Sequence, residues 1–207
     1  MSVGNWTINV SVDGMPQKVA TGIGQLNEKF VGAEYSPIAY LGSQIVNGTN
    51  HAVLAEQLVT TGKDTKNVVI IIFNEKPGDM DVTLVNIERV IESGDEFGGT
   101  KVAVEVGDKI NKTAMRLFES SFNGFVGSVV TPFALLATQP VRGTDYIFAC
   151  EVNPIVANKG EDNKKVAIVR VNDMNSVAPA FTDLLASKSN MFGYAFTWLG
   201  APLGEWP

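Results

Sequence analysis

The chain has 207 residues, 45% apolar and 18% charged, enough for one large domain or two of about 100 residues. Its net charge of −6, from 22 acidic and 16 basic residues with no Lys/Arg run, lacks the basic footprint of a nucleic-acid binder. One cysteine excludes an intramolecular disulfide framework, and the longest wholly apolar run, Val68 to Phe73, is far below the ~20 residues of a membrane-spanning helix.

The N-terminal Met1-Ser-Val-Gly-Asn-Trp6 has no basic or apolar leader-like region, so the expected location is cytoplasmic, with no membrane partner. Residues 6–12 alternate polar and apolar side chains, a strand signal. Met15 to Phe30 reads as a helix, with Val19, Ile23, Leu26 and Phe30 at three- to four-residue spacing, although Gly22 and Gly24 each weaken it by about 1 kcal/mol. Ile38 to Val46, a turn at Gly48, and His51 to Thr60 form a predicted β-hairpin, followed by an apolar strand over Val68 to Phe73. Lys76-Pro-Gly-Asp79 is a turn. Residues 81–92 fit a strand through Val82, Leu84 and Ile87 and a helix through Ile87, Val90 and Ile91; 177–187 share that ambiguity.

The second half repeats the first. At an offset of 95, Phe30-Val-Gly-Ala-Glu-Tyr-Ser-Pro-Ile-Ala-Tyr-Leu-Gly-Ser-Gln-Ile-Val-Asn-Gly-Thr49 lies over Phe125-Val-Gly-Ser-Val-Val-Thr-Pro-Phe-Ala-Leu-Leu-Ala-Thr-Gln-Pro-Val-Arg-Gly-Thr144, with ten of twenty positions identical. Glu56 falls on Glu151, and after three inserted residues Val68 to Glu75 falls on Val166 to Asp173. The second helix carries Met115, Phe118, Phe122 and Phe125 on one stripe, with Asp108 as its predicted N-cap. The expected organisation is a first repeat at 1–95, a second at 96–190, and an aromatic tail at 191–207. The expected class is α+β: two tandem modules, each a helix packed on an antiparallel β-sheet.

The segment Gln44-Ile45-Val46-Asn47-Gly48-Thr49-Asn50 resembles the Q-x-V-x-G hairpin of the cystatin superfamily of cysteine-protease inhibitors, the stefin branch most of all. A helix before it, a strand on each side, and Pro77-Gly78 in the second turn agree with that family, over roughly 13–91 and 107–187. The second copy keeps Gln139, Val141 and Gly143. The resemblance implies a wedge: the N-terminal segment and two hairpin loops plug the cleft of a papain-like protease, reversibly and without catalytic residues. The partner-binding residues it implies are Gln44, Ile45, Val46, Asn47, Gly48, Pro77, Gly78, Gln139, Val141 and Gly143. The chain departs from the family in three places. Gly14 is only a loose counterpart of the N-terminal glycine. Met174-Asn-Ser176 replaces Pro-Gly in the second copy. Pro-Trp occurs only reversed, as Trp206-Pro207.

No catalytic site, metal site or cofactor is expected. The sole histidine, His51, reads as a strand-surface residue, Cys150 as a buried strand thiol, and Glu56 and Glu151 as paired with a basic neighbour or, by default, solvent-facing. Gly22-Ile-Gly24 and the 94–99 glycines lack the context of a phosphate loop. The glycosylation patterns at Asn5, Asn9, Asn47 and Asn111 are taken as coincidental. Two roles stay open: a reversible cysteine-protease inhibitor, or a non-catalytic structural or protein-binding module that self-associates. The tail Met191 to Gly200 either completes a sheet or fills the seam between copies, or forms an exposed docking strip or homo-oligomer contact.

Overall fold

The computed structural model of the chain describes residues 5–62, 64–78, 81–94, 97–155, 164–174 and 180–183. Two compact units divide it, Met1–Val104 and Glu105–Pro207. The aromatic tail and the homo-oligomer contact expected there lie outside the described residues.

Unit one runs β1 (Trp6–Ser11), α1 (Gln17–Lys29), β2 (Ala33–Val46), β3 (Gly48–Val59), β4 (Thr65–Glu75) and β5 (Thr83–Ile91), with sheet order β1-β2-β3-β4-β5. Its four pairings, β1 with β2, β2 with β3, β3 with β4 and β4 with β5, are antiparallel. The second sheet takes β6 (Lys101–Val106), β7 (Ser128–Val141), β8 (Gly143–Pro154), β9 (Lys165–Asn172) and β10 (Ala180–Asp183), in the order β10-β9-β8-β7-β6, with α2 (Lys112–Ser121) between β6 and β7.

The expected α+β class of two helix-on-sheet modules is overturned. Strand outweighs helix by 56% to 17%, so the chain is a mostly antiparallel β protein built on two sheets. Strand length is the physical reason. Sequence periodicity marked β2 only from Ile38, yet pairing starts at Ala33↔Val59, where polar residues such as Glu34, Gln57 and Lys66 still join the ladder. Residues 83–91 resolve to strand because they pair across to β4, from Ile91↔Val68 to Thr83↔Asn74, with register shifts that leave Val85 and Val90 unpaired. The helices contribute only 13 and 10 residues.

Helix α1 buries Val19, Ile23 and Leu26 with Tyr35, Tyr40, Val53, Ala55, Val69, Ile71 and Phe73 of the sheet. The alternating residues Ala52, Leu54, Val68 and Ile70, which point to the sheet's other face, are also buried. Both faces are therefore apolar, which accounts for the unbroken run at 68–73. Gly22 is a packing residue: a Cβ there would stand 2.8 Å from the Phe73 ring. In unit two, α2 is capped by Asn111, whose Oδ1 accepts from Thr113 N at 2.8 Å. Asp108 instead sits in a 3-10 turn over Gly107–Lys109, so the N-cap expected at 108 is corrected. Cys150 is fully buried in β8, among Phe118, Phe148 and Val169.

Candidate functional site: the hairpin ends

The hairpin β2–β3 closes through Val46↔Gly48, with Asn47 at its tip. Gly48 has φ +99°, a conformation that side-chain-bearing residues avoid. A Cβ at Gly48 would meet the Glu75 carbonyl oxygen at 2.5 Å and Asn74 Oδ1 at 2.9 Å. The glycine thus lets the hairpin lie directly against the end of β4. Lys76, Pro77 and Gly78 follow from β4, all exposed beside the hairpin. Gly143 shares the positive φ, at +85°, but the atoms closest to it are side-chain atoms of Asp173 and Met174.

Gln44 also has structural work. Cα partners Trp6, Gln44, Asn50 and Asn74 form one row across four strands. Within it Asn50 Nδ2 donates to Gln44 Oε1 at 2.9 Å, and Asn74 Nδ2 donates to Asn50 Oδ1 at 2.8 Å. Unit two has the same row in Gln139, Asp145 and Asn172, where Asn172 Nδ2 donates to Asp145 Oδ1 at 2.7 Å. Asp145 brings a charge that Asn50 lacks, and Arg170 stands 3.5 Å from it where unit one has Ile72.

What remains for a partner is apolar and exposed. Ile45 is 45% and Val46 40% exposed; at the other end Val141 is 48% and Met174 65% exposed. Asn47 and Arg142 occupy the two tips, both exposed. The predicted residues of unit one, Gln44 to Gly48 with Pro77 and Gly78, therefore gather at one end of their sheet. Gln139, Val141 and Gly143 gather at the matching end of theirs, where Met174 takes the place of Lys76.

Trp6 is a residue that sequence reasoning missed. Its pairing with Gln44 brings the chain into β1 at the hairpin end, whereas Gly14 follows β1 at the opposite end, past Ser11↔Tyr40. The only local signal was the alternation at 6–12, which marks a strand but not its partner.

Behind the hairpin lies a polar cluster on the helix side. His51 Nε2 is 3.2 Å from Glu75 Oε2, and its Nδ1 is 3.3 Å from Tyr40 Oη. The His51 ring packs between Tyr40 and Phe73 at centroid distances of 6.0 and 5.5 Å, so the strand-surface role is corrected to a half-buried packing one. Lys18 of α1 pairs with Glu75 and, as the main cause, holds its carboxyl below the usual range. Burial raises the Tyr40 hydroxyl. A shallow recess of about 230 Å³ lies between α1 and this cluster, lined by Lys18, Gly22, Gln25, Glu75 and Asp81 among others. Glu56 and Glu151 do not simply face solvent: Lys66 pairs with Glu56 at 2.9 Å and Lys164 with Glu151 at 3.4 Å.

Among the described residues no cluster of three or more His, Cys, Asp or Glu side chains could hold a metal ion. No described helix is long and apolar enough to cross a membrane. No family model matches the chain, and no curated protein or solved structure matches it.

Proposed function

We propose that the chain is a non-catalytic docking protein whose hairpin ends enter the cleft of a protein partner, in the specific form of reversible inhibition of a papain-like cysteine protease. One observation carries this reading. Of the residues shared by the two hairpins, Gln44 is tied into a cross-strand ladder and Gln139 holds the matching register position, while Gly48 and Gly143 leave room for the chain that follows β4 and β9. Val46 and Val141 are half exposed on the tips. An aliphatic side chain exposed at the same place in both copies is a docking surface in want of a cleft.

The physics of such docking is favourable. The tip is short and held by paired strands, so little conformational entropy is lost on binding. Ile45 and Val46 bring apolar area, while Asn47, Gly48 and Pro77-Gly78 add no charge that would need desolvation. The resemblance of Gln44 to Asn50 to the cystatin hairpin supports a papain-like cleft as the partner. A cytoplasmic site of action belongs to the same proposal.

A second reading is a binding module for a different protein, favoured by the exchange of Asn47 for Arg142 and Lys76 for Met174 between the two ends. Steady-state titration of papain with the intact chain and a fluorogenic substrate separates the readings. The inhibitor reading expects competitive loss of activity at submicromolar chain that returns on dilution. Full papain activity at micromolar chain would refute that reading and favour the binding module.

A further inference from the structure

The Asn74 side chain is buried, and its two ends do different work. Its Nδ2 donates to Asn50 Oδ1, the start of the ladder that ends on Gln44. Its Oδ1 is fully buried and accepts no hydrogen bond among the described residues. That oxygen stands 2.9 Å from where a Gly48 Cβ would be, so the Gly48 Cα hydrogen on that side faces it. Such a Cα–H···O contact is a weak bond and only partly offsets the lost hydrogen bond.

A buried orphan acceptor in a native structure calls for an explanation. An apolar side chain of similar size would fill the same space without the desolvation penalty. We propose that Asn74 is the positioning residue of the docking hairpin: it clamps the Gln44–Asn50 rung on one side and the Gly48 backbone on the other, fixing the Ile45–Val46 tip against the loop after β4. The inference rests on the docking reading above and adds the residue that preorganises the surface. Unit two repeats only the donor half: Asn172 Nδ2 donates to Asp145 Oδ1, while Asn172 Oδ1 accepts from Met174 N at 2.9 Å, so the glycine-facing half of the clamp belongs to unit one.

The proposal makes stability and docking respond differently, as when a locally unfavourable group is kept for function. The test uses the intact chain carrying Asn74→Leu, with Asn50→Leu as a second variant that cuts the same ladder at a half-buried position. Backbone amide exchange at 45–49, the Asn50 side-chain NH₂ resonances (for Asn74→Leu), the melting temperature and the papain inhibition constant are measured for each. The expected result is faster exchange at the tip, displaced Asn50 NH₂ resonances, and a melting temperature within about 3 °C of wild type. Inhibition weakens by about tenfold, the cost of ordering a loosened tip on docking. Unchanged tip exchange overturns the proposal, as does faster exchange with unchanged inhibition. A wild-type chain that leaves papain fully active defeats the inhibitor reading instead, and the exchange and resonance measurements then decide the clamp alone. Should Asn74→Leu not fold, Asn50→Leu decides it.

Discussion

At the scale of single residues, the hairpin sequence divides into parts that build the end and parts that it presents. Gly48 builds it. Gly48→Ala forces a Cβ toward the Glu75 carbonyl at φ +99°, and the expected cost is about 1–3 kcal/mol, read as a lowered urea midpoint with an unchanged slope. The copies also diverged in a compensated way. Asp145 with Arg170 stands where unit one has Asn50 with Ile72. Arg170→Ile alone is expected to cost about 1 kcal/mol, because it strips a largely buried carboxylate of its cation; the arginine's own exposure limits the figure. Adding Asp145→Asn should recover most of that loss. Additive effects in the double-mutant cycle would show that the pair is not coupled.

The motif itself was legible at this scale, because an internal duplication displays its shared residues without any relative. The ladder that holds Gln44 was not. Asn50 and Asn74 are 24 residues apart, and nothing in either neighbourhood says that they meet.

At the scale of elements, the two glycines of α1 looked alike in sequence and differ in space. Gly22 faces Phe73 and Val82, whereas nothing lies within 4 Å of a Cβ on Gly24. Gly24→Ala is therefore expected to stabilise by about 0.5–1 kcal/mol through helix propensity alone. Gly22→Ala gains the same propensity but overpacks a buried ring at a cost of about 1–3 kcal/mol, so the net effect is a loss. Thermal melts of the two variants should move in opposite directions; a rise in both would mean that the α1–β4 contact yields easily.

Element types were mostly readable where one period dominated, as at 6–12 and 68–73. At 81–92 two periods fitted equally, and the cross-strand pairing with β4 that settles the matter is a tertiary fact. The class was misjudged for a related reason. Strand ends carry polar residues that alternate weakly, so the strands looked shorter and the helices more prominent than they are.

At the scale of the whole molecule, each unit is built on a long antiparallel sheet, and unit two buries the chain's single thiol. Burial raises Cys150 well above its ordinary value, so the native thiol stays protonated where an unfolded one ionises. The folded value is the higher one, so stability is unaffected below the unfolded value and falls as pH rises above roughly 9. A thiol reagent at pH 8 should leave Cys150 unmodified in the native chain and react once denaturant is added. Rapid native labelling would contradict the burial.

The central claim is that exposed valines on the hairpin ends dock a cleft, and the direct measurement is papain inhibition by Val46→Asp and Val141→Asp beside wild type. Neither side chain packs in a core, so both variants should melt within about 0.5 kcal/mol of wild-type stability. The account predicts at least a hundredfold weaker inhibition for Val46→Asp, since a buried carboxylate replaces apolar contact in the cleft. If the second end docks as the first does, it predicts that Val141→Asp halves the papain each chain can titrate, from two molecules to one. Wild-type inhibition that survives both substitutions unchanged would contradict it.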